Sequence, residues 1–322
     1  MGRSRIRYGN GESLSTSPEI TSEKVKRNST KVWTVKGMIK WATRYLEKRG
    51  IESPRLTSEL ILAHLLHKKR FDLCLAGDQD LSSSVCTHFQ SLIKKRGQHV
   101  PLSYLTGEQD FMGYSFKVDS RVYIPRPETE ILVEKVLEVA SLPKRREFIG
   151  VDLGTGCGNI AITLAKQLKR SKIWAVDISS ESLEVARYNA RLHHVGKRVE
   201  FLRGDLFTPL TGLGLERRVD LVISNPPYVA STQMRNLLPE VRKEPRVALE
   251  GGEDGLNIHR RIIWQAPRFL NRTGLLAVEI GPGQVKIIKD LIAAQSQLSP
   301  PRIFRDYQGK KRIVLTRKNL EE

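Results

Sequence analysis

The chain has 322 residues, 39% of them hydrophobic, and a formal net charge of +19 from 54 lysines and arginines against 35 acidic residues. This length predicts two domains, or one large domain with an extension, and the absence of an apolar run near 18 residues excludes a membrane-spanning helix. The charge favours a polyanionic neighbour such as nucleic acid or a ribonucleoprotein, with a general solubility bias as the alternative. Three cysteines without CxxC spacing favour a reducing, cytoplasmic setting.

The first 30 residues hold six Lys/Arg against three Asp/Glu and many Ser, Thr and Asn. They lack the apolar core of a secretory signal. We therefore predict a disordered basic tail over residues 1–31, with an organelle transit peptide left open.

Residues 32–106 predict a small all-helical domain, because apolar residues recur at intervals of three and four. Ser53 is the expected N-cap of a helix that begins at Pro54, and a later helix is expected to end at Gly97. The first helix places its apolar residues on one stripe, formed by Val35, Ile39, Ala42 and Leu46.

Residues 107–124 predict a β-hairpin that links the helical domain to the rest of the chain. Phe111, Phe116, Val118 and Val122 alternate around Gly113 in this stretch. Two prolines then fix a turn, and a helix follows with Glu128 and Glu130 in its first turn.

Residues 125–322 predict an α/β domain, because apolar runs of strand length alternate with amphipathic helices. The runs are "FIGVDLG", "KIWAVDI", "VEFLRGD", "VDLVISN" and "LLAVEIG". Such runs form a parallel sheet covered on both faces. Two further runs, "PRIFRDY" and "KRIVLTR", flank "QGK" and predict an antiparallel hairpin.

A glycine-rich loop follows the first α/β strand in "VDLGTGCGN". Its spacing is G-x-G-x-G, which lets backbone approach a ligand closely and suits NAD, another nucleotide or S-adenosylmethionine. Asp177 ends the next strand and can accept hydrogen bonds from both ribose hydroxyls, or cap the following helix. Asp205 ends the third strand, beside an expected adenine edge or in an ordinary turn. No His or other base stands near Cys157 in the sequence, which argues against a nucleophilic role for this cysteine. The seven histidines show no metal-ligand spacing.

The fourth strand ends in Asn-Pro-Pro-Tyr, where a doubly wound sheet binds its ligands. The prolines restrict the backbone, so the Asn225 side-chain oxygen and the Pro226 carbonyl oxygen are held rigidly as two acceptors. Two fixed acceptors suit a planar NH2 group whose nitrogen attacks a methyl sulfonium, and Tyr228 can cover that group. The alternative is a rigid strand-end turn in which Asn225 caps backbone.

These residues closely resemble the HemK/PrmC family, the glutamine methyltransferases of peptide-chain release factors. The resemblance covers roughly residues 35–318 and includes a helical N-terminal domain. Its motifs are "IPRPETE" at Ile124–Glu130, "DLGTGCG" at Asp152–Gly158, "VDIS" at Val176–Ser179, "SNPPYV" at Ser224–Val229 and "ALEGGEDGL" at Ala248–Leu256.

The resemblance implies a class I S-adenosylmethionine-dependent methyltransferase, a Rossmann-like domain with a mostly parallel seven-stranded sheet, without a metal. The implied cofactor site comprises Gly154, Thr155, Gly156, Cys157, Gly158, Asp177, Asp205, Leu206 and Asn225. The glutamine of a class-1 release factor's Gly-Gly-Gln motif would enter between Asn225, Pro226, Pro227 and Tyr228, of which Asn225, Pro226 and Tyr228 are the implied catalytic residues. Family members often carry an aromatic residue at the position of Leu206. The expected enzyme is a cytoplasmic monomer.

Two other functions remain possible on the sequence. A nucleic-acid amino-methyltransferase acting on adenine N6 or guanine N2 would use the same two acceptors, and the basic charge favours it, although no obvious base-flipping insertion is present. A non-catalytic RNA-binding or assembly protein would be expected to have lost the glycine loop, the strand-end Asp or Asn225. Arg126 can hold substrate backbone or pair with Glu128 or Glu130.

Overall fold

The computed structural model describes residues 32–140 and 146–319. The predicted basic tail at 1–31 lies outside the described residues. Within the described part of the chain, no helix is both long enough and apolar enough to cross a bilayer.

Five helices form the N-terminal region: α1 (Val35–Glu47), α2 (Pro54–Leu66), α3 (Arg70–Leu75), α4 (Ser83–Arg96) and α5 (Leu102–Thr106). Their apolar faces share one core that includes Met38, Leu46, Ile61 and Phe89. The predicted stripe on α1 is buried at three of its four positions, while Ile39 is only half-buried. Short strands β1 (Trp33–Thr34) and β2 (Asp80–Leu81) pair beside this core.

The predicted start of α2 is confirmed, with Ser53 at the N-cap. The Ser53 backbone is left-handed with φ of 48°, and its side chain makes no capping hydrogen bond. Pro54 at the first helical position sets the start of α2, because its ring fixes φ and its missing N–H needs no partner. The helix that was expected to end at Gly97 does so, with Gly97 as the C-cap of α4.

The predicted hairpin consists of β3 (Glu108–Phe111) and β4 (Tyr114–Lys117), with Gly113 at φ of 75° in its turn. Phe111 and Phe116 are buried in the same core as the helices on one face of the main sheet. The buried Asn189 joins the hairpin to the glycine loop, because its Nδ2 donates to the carbonyl oxygens of Lys117 (3.0 Å) and Cys157 (2.9 Å). The hairpin therefore supports the back of the ligand-facing loop.

The main sheet has seven strands in the order β10-β11-β9-β8-β5-β6-β7. Six of these strands run in the same direction and β11 runs opposite to them, so the sheet is mostly parallel, as expected for a Rossmann-like methyltransferase. The strands are β5 (Phe148–Leu153), β6 (Ser171–Asp177), β7 (Val199–Arg203), β8 (Val219–Ser224), β9 (Leu270–Glu279), β10 (Arg302–Arg305) and β11 (Lys311–Arg317).

Helices cover both faces of this sheet. On one face lie α6 (Pro127–Val139), α7 (Asn159–Gln167) and α8 (Ser180–Leu192), and on the other lie α9 (Asn257–Phe269) and α10 (Val285–Ala293). Strand β8 is buried along its whole length. Leu221 and Ile223 pack into the core on one face and Val222 into the core on the other, because successive side chains of a strand point to opposite faces.

The strand order reverses at β5, which pairs with β6 on one side and β8 on the other. Ligands of doubly wound sheets bind at such a point, beyond the carboxyl ends of the strands. The register pairs Leu153 with Ser224, and Ser224 with Val278. Gly154, Asn225 and Glu279 each follow one of these residues, so the fold brings them to one edge of the sheet.

Candidate active site

A cavity of about 460 Å³ lies at the carboxyl edge of the sheet. Eleven of the twelve residues predicted from the sequence line it: Gly154, Thr155, Gly156, Cys157, Asp177, Asp205, Leu206, Asn225, Pro226, Pro227 and Tyr228. Gly158 does not line the cavity. A Cβ on Gly158 would lie 2.9 Å from the Ile162 side chain and 3.2 Å from the Ala186 Cβ, so this glycine serves the close packing of α7 against α8.

The glycine loop presents backbone to the cavity. Gly154 and Gly156 have φ of 72° and 56°, a left-handed conformation that favours glycine. A Cβ at either position would meet no atom of the described residues within 4 Å, its chain neighbours aside, so a ligand can approach this backbone closely. Burial raises the pKa of Cys157 to about 12, which keeps it a neutral thiol and excludes a nucleophilic role.

The Asp177 carboxylate lies beneath the glycine loop. Its Oδ2 accepts from the Gly156 N–H at 2.8 Å and its Oδ1 from the Ser179 N–H at 2.9 Å. Burial raises its pKa, and the backbone N–H donors oppose that shift. Asp177 is not the cap of the next helix, because Ser179 is the N-cap of α8 and accepts from Ser182 N. The two carboxylate oxygens are fixed where they can accept from a vicinal diol.

The far end of the cavity has apolar walls. Leu206 is half-buried with φ of 50°, and Ile178 and Ile258 lie nearby in the lining. Asp205 pairs with Arg261 of α9 at 2.6 Å. Both features suit a flat heterocycle with polar edges, held by aliphatic contacts because no aromatic side chain occupies position 206.

Asn225 has a defined amide orientation. Its Nδ2 donates to the Thr129 hydroxyl oxygen at 2.9 Å, while Oδ1 has no hydrogen-bond partner among the described residues. Pro226 is buried, and the two prolines restrict the backbone on either side of it. The loop therefore holds an unsatisfied amide oxygen beside the glycine loop.

A second segment, residues 249–255, clamps the Asn-Pro-Pro-Tyr loop. Val229 donates to the Leu249 carbonyl at 2.9 Å and Gly251 donates to the Val229 carbonyl at 2.8 Å. A Cβ on Gly251 would lie 2.5 Å from the Pro227 carbonyl oxygen, and one on Gly255 would lie 2.2 Å from the Tyr228 carbonyl oxygen. These approaches explain Gly251 and Gly255 of "ALEGGEDGL" as a requirement of packing.

Arg126 pairs with neither of the acids expected for it. Its guanidinium donates to Glu244, whose side chain is buried. Burial raises the pKa of Glu244, and Arg126 opposes that shift. Glu244 also accepts from the Ile124 N–H at 3.0 Å. The "IPRPETE" loop is thereby tied to the rim segment, residues 231–250, which supplies one wall of the cavity.

The tyrosines of the site stay protonated near neutral pH. Burial raises the pKa of Tyr228 well above its usual value and raises the pKa of Tyr123 to about 12. The Arg312 guanidinium carbon lies 6.0 Å from the centre of the Tyr228 ring. Neither tyrosine is therefore available as a base at neutral pH.

The sequence reasoning missed several residues that hold the site: Thr129, Glu244, Glu279 and Gln284. Gln284 Nε2 donates to the Tyr228 carbonyl oxygen at 3.0 Å, and Glu279 accepts from Thr129 at 2.7 Å. Glu279 offered a signal, since a carboxylate at the end of the apolar run "LLAVE" requires a buried partner. That signal did not identify the partner.

Comparison with known proteins identifies the relatives of this chain. Residues 38–107 match the PrmC N-terminal domain, and residues 129–253 match the methyltransferase small domain. The release factor glutamine methyltransferase of Moorella thermoacetica is 39% identical over 274 residues, which is 85% of this chain and 95% of that protein. The Bacillus anthracis enzyme of the same name is 37% identical over 278 residues, and the alignment covers 86% of this chain and 96% of that protein.

Among solved structures, the hMettl16 catalytic domain in complex with MAT2A 3'UTR hairpin 6 aligns with a TM-score of 0.51 at 14% identity. The alignment covers 75% of this chain and 83% of that one, and at this identity it supports the fold alone. The matches along the sequence are stronger and span both parts of the chain. The chain belongs to the family of release factor glutamine methyltransferases.

Proposed function

We propose that this protein transfers the methyl group of S-adenosylmethionine to the side-chain amide nitrogen of a glutamine, in the Gly-Gly-Gln motif of a peptide-chain release factor. The observation that carries the proposal is the free Oδ1 of Asn225, which shares a cavity with the glycine loop and Asp177. An acceptor held in this way is suited to an N–H donor. The family relationship supports glutamine as the source of that donor.

The residues of the cavity fit S-adenosylmethionine. The open space beside Gly154 and Gly156 admits the methionine part, and the two oxygens of Asp177 match the ribose hydroxyls. The aliphatic walls at Leu206 and Ile258 suit the adenine ring. When bound, S-adenosylmethionine supplies an electrophilic methyl carbon on a sulfonium.

The chain's own residues would activate the amide by orienting it. Asn225 Oδ1 and the Pro226 carbonyl oxygen would accept from the two N–H bonds of the glutamine amide. Those hydrogen bonds strengthen as positive charge develops on nitrogen, which is preorganised electrostatic stabilisation. Tyr228 would lie against the planar amide and exclude water. No strong base is needed for the attack, which agrees with the neutral tyrosines of the site. The methylated nitrogen would carry the positive charge and would be acidic enough to release one proton to solvent as the product leaves.

The helical region at 32–106 is proposed to bind the body of the release factor, with the hairpin at 107–124 as its link to the catalytic part at 125–322. Arg96 of α4 is buried and pairs with Glu240 of the rim segment at 2.5 Å. This ion pair connects the helices, where a partner would bind, to one wall of the cavity.

All three cysteines are free thiols, which supports a reducing cytoplasmic setting for the proposed monomer.

Methyl transfer from labelled S-adenosylmethionine to a purified release factor tests the proposal directly. We expect label on the wild-type factor and none on its variant with the motif Gln changed to Ala. Bulk rRNA in a parallel reaction tests nucleic-acid amino-methylation. Label found on rRNA alone, or retained by the Gln→Ala factor, would overturn the proposed substrate.

We expect Asp177→Asn to weaken S-adenosylmethionine binding about tenfold to hundredfold, the range for losing a charge-assisted hydrogen bond. The new NH2 group would face a backbone N–H donor, either that of Gly156 or that of Ser179. Isothermal titration calorimetry measures the change. Asp290→Asn, on the exposed surface of α10, is the control and should bind like wild type; equal affinities for both variants would contradict the ribose role.

The net charge of +19 predicts that capture of the release factor depends on salt. Raising NaCl from about 50 mM to about 500 mM should lower kcat/KM for the factor about tenfold or more, because salt screens long-range attraction between opposite charges. The affinity for S-adenosylmethionine, a small ligand in a cavity, should change much less. A flat kcat/KM across this range would dismiss the electrostatic contribution, and the same titration with rRNA measures any weak nucleic-acid contact through the basic surface.

A further inference from the structure

A chain of hydrogen bonds runs from Asn225 into the interior of the protein. Asn225 Nδ2 donates to Thr129 Oγ1 at 2.9 Å, and Thr129 Oγ1 donates to Glu279 Oε2 at 2.7 Å. Thr129 and Glu279 are 2% and 1% exposed, so water does not compete for these bonds. The neighbouring carboxyl ends of β8 and β9 place Asn225 and Glu279 side by side, and the first turn of α6 places Thr129 between them.

We propose that Glu279 and Thr129 are positioning residues that fix the polarity of the Asn225 amide. A carboxylate can only accept, so Glu279 takes the single hydroxyl proton of Thr129. The Thr129 oxygen is then an acceptor toward Asn225, which must turn its NH2 group inward. The amide oxygen consequently faces the cavity, as recognition of a substrate NH2 group requires. This proposal rests on the proposed function and deepens it.

Loss of the negative charge at Glu279 would remove this constraint. A neutral carboxylic acid or a glutamine at position 279 can donate to Thr129, whose hydroxyl proton is then free to point at Asn225. The Asn225 amide could rotate and present its NH2 group to the substrate NH2 group. Donor would face donor, and the transition state would lose one of its two acceptors.

Protonation of Glu279 falls in an accessible pH range. Burial raises its pKa to about 7, partly offset by Thr129, and further groups that act on it are Arg312 of β11, Glu128 of α6 and Tyr228, together with Tyr123. His259 of α9 contacts only the Glu279 backbone carbonyl, at 2.8 Å, and burial lowers the pKa of His259 to about 4. Since the ionised carboxylate sets the amide polarity, kcat should rise as pH increases through about 7.

The test compares wild type with Glu279→Gln, Thr129→Val and Thr129→Ser, using methylation of a release factor from about pH 5.5 to about pH 8.5. We expect Glu279→Gln and Thr129→Val to lower kcat about tenfold to hundredfold and to abolish its rise near pH 7. The dissociation constant for S-adenosylmethionine should change by less than about threefold. Thr129→Ser retains the hydroxyl and should recover most of kcat together with the pH dependence.

Glu138→Gln is the matched control, because Glu138 lies at the exposed end of the same helix and should keep the wild-type kcat and pH profile. Thermal unfolding of each variant identifies any loss of folding. Thr129→Val is expected to fold, because valine is nearly isosteric with threonine and Glu279 can become neutral by protonation. Wild-type kcat and pH dependence in both Glu279→Gln and Thr129→Val would overturn the proposal. A wild-type protein that methylates no release factor would instead reject the proposed function.

Discussion

Asn225→Ala is expected to lower kcat for release factor methylation about 10²–10³-fold, the range for removal of one preorganised polar group from an active site. The substitution deletes the amide oxygen that faces the cavity and also the Nδ2 donor to Thr129. The Pro226 carbonyl oxygen would remain as a single acceptor. One acceptor can bind an NH2 group, but it cannot hold both N–H bonds in the geometry that favours attack.

The effect should fall on kcat more than on cofactor affinity. Asp177 and the glycine loop lie on other strands, so the dissociation constant for S-adenosylmethionine should rise much less than kcat falls. Single-turnover transfer of labelled methyl and calorimetric titration measure the two quantities separately. Asn236→Ala, in the exposed part of the rim segment, is the control for a small change at the surface. Unchanged turnover in Asn225→Ala would remove this residue from the proposed mechanism.

The sequence predicted the features of this fold that depend on local pattern. Each strand of the sheet has an apolar run of its own, and the glycine loop and the Asn-Pro-Pro-Tyr loop each follow directly after a strand. Gly154, Asp177 and Asn225 each stand at the carboxyl end of a predicted parallel strand. Because parallel strands end at one edge of the sheet, this alone predicted that the three residues lie at the same edge. Their meeting in one cavity is therefore a consequence of topology that periodicity can reveal.

The residues that support the site could not be found in the same way. Asn225 and Thr129 are 96 positions apart, and Thr129 and Glu279 are 150 apart, so no spacing rule connects them. Arg126 had two acids within four residues and yet pairs with Glu244, 118 positions away, because Glu244 is buried and requires a counter-charge. Gly158 matched a ligand-binding pattern, but its missing Cβ serves contact with α8.

Gly255→Ala is expected to damage both stability and catalysis through the backbone of Tyr228. Gly255 has φ of 79°, and an alanine Cβ there would lie 2.2 Å from the Tyr228 carbonyl oxygen and 2.8 Å from Gln284 Nε2. Left-handed backbone costs a non-glycine residue about 1–2 kcal/mol, and overpacking adds about 1–3 kcal/mol. The free energy of unfolding should therefore fall by about 2–5 kcal/mol, and a displaced Asn-Pro-Pro-Tyr loop should lower kcat even where the variant remains folded.

Gly309→Ala separates the two causes. Gly309 has nearly the same φ, 78°, in the turn between β10 and β11, but a Cβ there would meet no atom within 4 Å in the described part of the chain. The free energy of unfolding of Gly309→Ala should fall only by the conformational cost of about 1–2 kcal/mol. This variant should keep the wild-type kcat. Urea unfolding gives both free energies, and methylation assays below the midpoint of each variant give kcat. If the two alanine variants were equally stable and equally active, the clamp formed by residues 249–255 would not determine the position of the catalytic loop, and its glycines would need another explanation.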